Sequence, residues 1–256
     1  MVQIISFINQ KGGVGKTTSA INTASYLAEM GKFVLLVDLD PQGNATSGLG
    51  LSTSELKHTL YSAMIGGSDV RQSIIRSNTD GLSVIPATAD LAGANIELVD
   101  VEHREYRLYD VLKQIRMDYD YIIIDSPPSL GLLTINGLVA SDALIIPVQA
   151  EYYALEGLGQ LLETIDLVRD ALQPELDIMG AVITMYDRRN RLARQVVREM
   201  RQHFPGRVFE SIVPRSVRLA EAPSFGQAIS IFDSLNKGAK AYKSLAKEII
   251  SLEQKK

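Results

Sequence analysis

The chain has 256 residues, 46% of them hydrophobic, which is enough for the core of one large α/β domain over 1–256. It contains no cysteine, which excludes disulfides, thiolate metal sites, iron–sulfur clusters and a cysteine nucleophile. The net charge of −4 gives no whole-chain sign of nucleic-acid binding, and without a membrane-length apolar run or a signal peptide we expect a cytoplasmic protein.

Short apolar, β-branched runs recur along the chain and predict buried parallel strands, because both faces of each run are apolar. They are QIISFI from Gln3, FVLLVDL from Phe33, LSVIP from Leu82, YIIID from Tyr121, ALIIPV from Ala143 and IMGAVIT from Ile178. Helical patterns lie between most of them, at 17–30, 104–117, 155–172 and 191–204. This alternation predicts a doubly wound, mostly parallel α/β sheet with helices on both faces. The polar, Gly- and Ser-rich segment 43–79 is predicted to be a mobile insert.

The first predicted strand runs into NQKGGVGKTT, which is close to the phosphate-loop pattern G-x-x-x-x-G-K-[ST]. In that pattern, the glycines let backbone N–H groups converge on phosphate oxygens, and the lysine binds the β- and γ-phosphates. Gln10 stands where the first glycine belongs, but later glycines supply the same freedom, and the helix that Thr17 opens favours a bound anion. The residues that carry the pattern are Gly12, Gly13, Gly15, Lys16 and Thr17. They predict a nucleotide-phosphate site; the alternative is a Gly-rich turn with surface lysines.

Aspartates follow two of the predicted strands. Asp38 and Asp40 end the second strand and Asp125 ends YIIID, so all three converge with Lys16 at the carboxyl edge of the sheet. Asp125 is predicted to hold Mg²⁺, directly or through water, together with the Thr17 hydroxyl. Asp40 lies in a loop and is predicted to orient water for hydrolysis. The alternative for each aspartate is a cap on the following helix.

The segment 187–220 is strongly basic, with nine arginines and three acidic residues. Four of the arginines form one helical stripe: Arg191, Arg194, Arg198 and Arg201. Apolar residues lie broadly opposite and are predicted to face the core: Leu192, Val196, Val197, Met200 and Phe204. With Glu199 as the acidic residue beside it, the stripe fits either sequence-independent contact with DNA phosphates or an ordinary solvated face.

The last predicted helix, 237–252, places Leu245, Ile249 and Leu252 on one face. A membrane-docking helix has the same spacing, but this apolar stripe is short and acidic residues interrupt the basic face. We therefore predict that the helix packs against the domain.

Four motifs taken together resemble the ParA/Soj family of chromosome- and plasmid-partitioning ATPases, within the deviant Walker A class. They are KGGVGKTT, VDLDPQGNAT, IIIDSPPSLGLLTINGL and PVQAEYYALEGL, and the resemblance runs from Ile4 to about Ala246. It implies a P-loop NTPase fold. The class also contains MinD-type division-site ATPases, arsenite-pump ATPases, some small-molecule ligases and nitrogenase iron proteins, the last of which need cysteines that this chain lacks.

The resemblance also implies residue roles. Lys11 matches the signature lysine that reaches the partner's phosphates across a nucleotide-sandwich dimer. Lys16 and Thr17 match the phosphate lysine and the magnesium hydroxyl, Asp40 the residue needed for hydrolysis, and Asp125 the acid linked to magnesium. The other implied nucleotide contacts are Gly12, Gly13, Val14, Gly15 and Thr18 around the phosphates, and Met185, Pro214 and Arg215 near the base. The implied DNA contacts are Arg188, Arg189 and Arg218.

For function, the resemblance implies a switch that uses ATP and Mg²⁺. ATP closes a homodimer, the dimer binds nucleoid DNA without sequence preference, and a ParB/Spo0J-like partner stimulates slow hydrolysis. The chain starts at the first strand, so we expect no N-terminal helix-turn-helix domain, and we expect no stable membrane attachment. The alternatives are a MinD-like membrane-associated regulator, a positioning ATPase for a protein cargo, and a metabolic ligase or kinase.

Overall fold

One eight-stranded sheet runs through the part of the chain that the structure describes. The structure is a computed structural model and describes residues 2–53, 56–151 and 156–253. The middle of the motif PVQAEYYALEGL, including the predicted helix start at position 155, lies outside those residues. The strands are β1 (Gln3–Phe7), β2 (Val34–Asp38), β3 (Ile75–Arg76), β4 (Leu82–Ile85), β5 (Tyr121–Asp125), β6 (Ala143–Gln149), β7 (Asp177–Tyr186) and β8 (Val208–Pro214).

The strand order is β3-β4-β2-β5-β1-β6-β7-β8, and every neighbouring pair is parallel except β3 with β4. This confirms the predicted doubly wound, mostly parallel sheet. Two strands were not predicted. β8 alternates between buried and less buried residues, as an edge strand does, and β3 has only two residues.

The helices of the described residues are α1 (Lys16–Glu29), α2 (Asn44–Gly48), α3 (Leu60–Met64), α4 (Ala94–Glu97), α5 (Arg107–Lys113), α6 (Leu132–Val139), α7 (Glu156–Ala171), α8 (Arg191–His203), α9 (Val217–Glu221), α10 (Ile229–Phe232) and α11 (Lys237–Glu253). The helix predicted to open at Thr17 begins one residue earlier. The helix predicted over 104–117 is shorter, because tighter 3₁₀ turns occupy Arg104–Tyr106 and Arg116–Asp118.

Apolar side chains cover both faces of the sheet, as the run pattern predicted. In β2, Val34 and Leu36 lie in the same core cluster as α1 and α11, while Leu35 and Val37 point to the opposite cluster. All four are fully buried. Each such side chain contributes about 2 kcal/mol relative to an exposed one, so the sheet is fixed from both sides. The segment 43–79 contributes to this core through Leu60, which is also fully buried.

The helix α11 packs against the domain, as predicted. Leu245 and Ile249 are fully buried in the same cluster as α1, and Leu252 is partly buried against it. The Glu248 carboxylate also accepts hydrogen bonds from the backbone N–H groups of Glu210 and Ser211 on β8, at 2.9 Å each. Among the described residues, no helix combines the length and apolar character needed to cross a membrane.

Candidate nucleotide-binding site

The loop between β1 and α1 has the backbone geometry of an anion site. Gly13 and Gly15 have φ of 73° and 90°, a left-handed conformation that favours glycine. Gly15 is the N-cap of α1 and brings no side chain to the helix end, so the free N–H groups of the first turn stay open to a ligand.

Two side-chain hydrogen-bond anchors, one on β7 and one in the loop itself, hold the loop in place. The Thr184 hydroxyl at the end of β7 donates to the Val14 carbonyl oxygen at 2.8 Å, and Val14 is buried. On the other side, Asn9 donates to the Pro147 carbonyl oxygen at 2.8 Å and accepts from the Lys11 N–H at 3.0 Å. The sequence prediction did not include Asn9 or Thr184, because an anchoring role depends on which strand lies alongside.

Lys16 lies at the centre of the loop and is only 7% exposed. Its Nζ donates to the Lys11 carbonyl oxygen at 3.1 Å. Burial lowers the pKa of Lys16, while the nearby carboxylates of Asp125 and Asp40 raise it. The structure therefore brings the predicted lysine together with two of the predicted aspartates.

Asp38 and Asp125 are register partners at the ends of β2 and β5, and both are fully buried. Asp38 accepts hydrogen bonds from the Thr46 N–H at 2.8 Å and from the Thr46 hydroxyl at 2.7 Å. Burial raises the pKa of Asp38 to about 6, and these bonds offset part of the effect. Asp38 thus stabilises the start of α2, which agrees with the alternative that this aspartate caps the following helix.

Asp125 differs from Asp38 in its partners. Neither carboxylate oxygen has a hydrogen-bond partner within the described residues. Burial and the neighbouring Asp38 hold the pKa of Asp125 well above its usual range, and the Thr17 hydroxyl and Lys16 lower it in part. The Thr17 hydroxyl is near enough for this influence without reaching hydrogen-bond geometry. A buried carboxylate in this state suits a bound cation or a cation-bound water.

Asp40 is 7% exposed and lies at the cavity wall. One carboxylate oxygen accepts from the Gln42 N–H at 3.0 Å, which fixes the side chain in its own loop. No described cluster of three or more His, Asp or Glu residues could hold a metal by itself. A magnesium ion at this edge would therefore draw on phosphate oxygens and the Thr17 hydroxyl as well as on Asp125.

The cavity at the carboxyl edge has a volume of about 580 Å³. It joins the loop to Asp40, and the predicted residues in its lining are Gly12, Gly13, Gly15, Lys16, Thr17, Thr18, Asp40 and Met185. Lining residues that were not predicted include Asn22, Gln42, Asn44, Ser47, Pro128, Pro223 and Gln227. Gln42, Asn44 and Pro128 belong to the sequence motifs quoted above, so these motifs could have predicted them. Lys11 is outside this lining.

A second, smaller cavity of about 180 Å³ adjoins the first, sharing Gly15, Thr18 and Met185 with it. All three residues predicted near the base line it: Met185, Pro214 and Arg215. Met185 has φ of 51°, which is uncommon for a side chain of this size and marks a backbone held by its surroundings.

Two of the predicted DNA-binding arginines are paired with acidic residues. Arg189 is 87% exposed and binds Asp187 at 2.8 Å, which lowers the pKa of Asp187 to about 2. Arg218 binds Asp233 at 3.1 Å and Glu221 at 2.9 Å. Its guanidinium also stacks over Phe232, 4.2 Å from the ring centroid.

The predicted arginine stripe is exposed along α8, with Val196, Met200 and Phe204 buried on the opposite side. Two expectations were wrong. Leu192, which was expected to face the core, is 38% exposed. It lies in the first turn of α8, at the border of the side that faces the core. The acidic residue that forms an ion pair with the stripe is Glu210 on β8, which binds Arg201 at 2.8 Å. Glu199 instead lies next to His203.

Comparison with known proteins agrees with this geometry. A family model described as an AAA domain matches residues 2–178. The sporulation initiation inhibitor protein Soj of Bacillus subtilis (strain 168) is 52% identical over 249 residues, which cover 97% of this chain and 98% of that protein. The chain belongs to the ParA/Soj family of partitioning ATPases.

A second ParA/Soj relative is similar at the same level. The chromosome partitioning protein ParA of Myxococcus xanthus (strain DK1622) is 51% identical over 97% of this chain and 88% of its own length. Among solved structures, cobyrinic acid a,c-diamide synthase from Mycobacterium smegmatis, with bound ADP and magnesium, has a TM-score of 0.88 and 36% identity. That match covers 98% of this chain and 94% of the synthase chain.

Proposed function

We propose that this ParA/Soj protein is an ATP-dependent DNA-partitioning switch. The observation that carries the proposal is the different placement of the two loop lysines. Lys16 is buried beside Asp40 and Asp125, whereas Lys11 lies outside the lining of its own cavity. In a P-loop protein that served its own nucleotide alone, the second lysine would be an ordinary surface residue. In a closed homodimer, each Lys11 would contact the phosphates of the nucleotide bound to the partner.

ATP would occupy the two adjoining cavities, with its phosphates at the loop and its base between Met185, Pro214 and Arg215. Lys16 would exchange the Lys11 carbonyl oxygen for phosphate oxygens. The Thr17 hydroxyl and, through water, Asp125 would hold Mg²⁺, which when bound neutralises phosphate charge. The ADP and magnesium bound to the Mycobacterium synthase support this choice of ligands.

Replacing Lys11 tests the proposal directly. In Lys11→Ala we expect ATP-dependent dimerisation to weaken by roughly 30-fold or more, because one partner of a desolvated charge pair is lost at each site. Binding of Mg-ATP to the monomer should change little, since Lys16 and Thr17 remain. Sedimentation velocity with Mg-ATP measures the first quantity, and a fluorescent nucleotide titration the second. Wild-type dimerisation by Lys11→Ala contradicts the proposed switch.

The dimer would bind double-stranded DNA through the basic surface formed by Arg188, Arg189, Arg218 and the exposed stripe on α8. Phosphate contacts of this kind are independent of sequence and strongly dependent on salt. In Arg218→Ala we expect DNA affinity to fall about tenfold and the salt slope to decrease by about 1 for each arginine lost, with ATP-dependent dimerisation intact. Arg76→Ala, an exposed arginine on the far edge strand β3, is the matched control.

The ion pairs of Arg218 sharpen this test. Because Glu221 competes with DNA phosphate for the guanidinium, Glu221→Gln should bind DNA more tightly than wild type, the opposite direction to Arg218→Ala. Fluorescence anisotropy of a labelled duplex across a salt series measures both variants. If DNA affinity is unchanged in both, Arg218 is not part of the surface.

The partner that stimulates hydrolysis would be a ParB/Spo0J-like protein bound at a centromere-like site, and the protein would reside on the nucleoid in the cytoplasm. Soj and ParA among the relatives support this assignment over a protein cargo. The buried apolar stripe of α11 argues against a MinD-like membrane tail. The similarity to the synthase keeps a small-molecule ligase as the alternative, which ATP turnover dependent on an added metabolite and indifferent to DNA would support.

A further inference from the structure

Gln10 stands immediately before Lys11, in place of the first glycine of the standard loop. Its side-chain amide reaches α7: Nε2 donates to the Gly157 carbonyl oxygen at 3.1 Å and to Gln160 Oε1 at 3.0 Å. These two bonds join the phosphate loop to the first turns of a helix about 150 residues further along the chain.

The absence of a side chain at Gly157 on α7 leaves room for the Gln10 amide. A Cβ atom at position 157 would lie 3.2 Å from Gln10 Nε2, closer than an ordinary van der Waals contact. Two residues later, at Gly159, a Cβ atom would have nothing within 4 Å. A methyl group would therefore crowd the Gln10 amide at the first of these positions and would meet no neighbour at the second.

The backbone of Lys11 is fixed on both sides of the residue. Its N–H donates to Asn9 Oδ1 at 3.0 Å, and Asn9 is itself hydrogen-bonded to the Pro147 carbonyl oxygen on β6. Its carbonyl oxygen accepts from Lys16 Nζ at 3.1 Å. Gln10, between the two, adds the tie to α7. A glycine at position 10 would lack this tie and would restrict the backbone less, because glycine has the widest conformational freedom.

We infer that Gln10 is a positioning residue. By tying the loop to α7, it sets the direction in which the Lys11 side chain leaves its own site toward the phosphates of a second copy of the chain. The inference rests on the proposed ATP-dependent dimer. It explains why a side chain with two hydrogen-bond donors replaces the first glycine: the loop must be rigid where a lysine has to reach across an interface.

Two substitutions disturb the tie from opposite sides: Gln10→Ala removes the amide donor from the loop, and Gly157→Ala crowds that amide from the helix. In Gln10→Ala we expect ATP-dependent dimerisation to weaken about tenfold and kcat to fall by a similar factor, and Gly157→Ala should change both in the same direction by a smaller factor. The KM for ATP should stay within about twofold of wild type, because Lys16 and Thr17 are untouched. Sedimentation velocity and steady-state ATPase assays measure these quantities, and thermal unfolding identifies any variant that fails to fold.

The matched control for the helix is Gly159→Ala, which adds the same methyl group in open space and should behave like wild type. A double variant tests whether Gln10 acts through its neighbour. Gln10→Ala combined with Lys11→Ala should dimerise no more weakly than Lys11→Ala alone, whereas a merely structural effect would add to the loss.

Three outcomes separate the possibilities. Additive losses in the double variant overturn the positioning role, and so does wild-type dimerisation of Gln10→Ala and Gly157→Ala beside a monomeric Lys11→Ala. Wild-type dimerisation of Lys11→Ala overturns the cross-dimer role of that lysine, and the positioning inference with it.

Discussion

Lys16→Ala should lower the affinity for Mg-ATP by about 100-fold or more and abolish every later step. The ammonium group is buried beside Asp40 and Asp125, so its removal leaves two carboxylates facing the phosphates without a compensating charge. Truncating one partner of a buried charge pair costs about 2–5 kcal/mol, and 2.8 kcal/mol is about 100-fold in affinity. Isothermal titration with Mg-ATP measures the change.

Lys240→Ala is a suitable control, because Lys240 is an exposed lysine on α11. It removes the same charge from the chain as Lys16→Ala and should leave nucleotide affinity unchanged. If both variants bind Mg-ATP like wild type, the loop is a Gly-rich turn with lysines rather than a phosphate site. Loss of binding by Lys16→Ala alone supports the phosphate role.

Asp40→Ala should hydrolyse ATP about 100-fold more slowly than wild type while still forming the ATP dimer. The loss of a group that orients water or accepts its proton typically costs 10²–10⁴-fold, whereas Lys11, Lys16 and Thr17 remain for binding. The variant should therefore accumulate as a dimer that stays on DNA after wild type has released it. Single-turnover hydrolysis and sedimentation with Mg-ATP separate the two effects.

Asp40→Asn is the sharper variant, because an amide oxygen can still accept the Gln42 N–H that holds the loop. Equal loss of hydrolysis in Asp40→Asn and Asp40→Ala assigns the effect to the carboxylate charge. Asp80→Ala, at an exposed position outside the cavity lining, should hydrolyse normally. A monomeric Asp40→Ala protein in Mg-ATP contradicts the proposed order of binding and hydrolysis.

Much of the fold and the phosphate loop could be predicted from the sequence, because their signals are local. A buried parallel strand is apolar on both faces, so β1, β2, β4, β5, β6 and β7 are readable as runs. Gly15, Lys16 and Thr17 are adjacent in the chain, so their order in the sequence places them together at the start of α1. The arginine stripe is likewise a property of one helix, and its exposure follows from the spacing alone.

Only the tertiary structure decided what depends on distant partners. Asp38 and Asp125 are both strand-end aspartates, and they differ because Thr46 folds back onto Asp38 while Asp125 keeps two buried oxygens without a partner in the described chain. The same holds for Gln10, whose hydrogen bonds reach α7, and for Arg218, whose charge is met by Asp233 and Glu221. A sequence pattern records neighbours along the chain, whereas hydrogen bonds and ion pairs depend on neighbours in space. Residue types and spacing therefore predicted a phosphate site, and long-range packing decided which side chains support its loop.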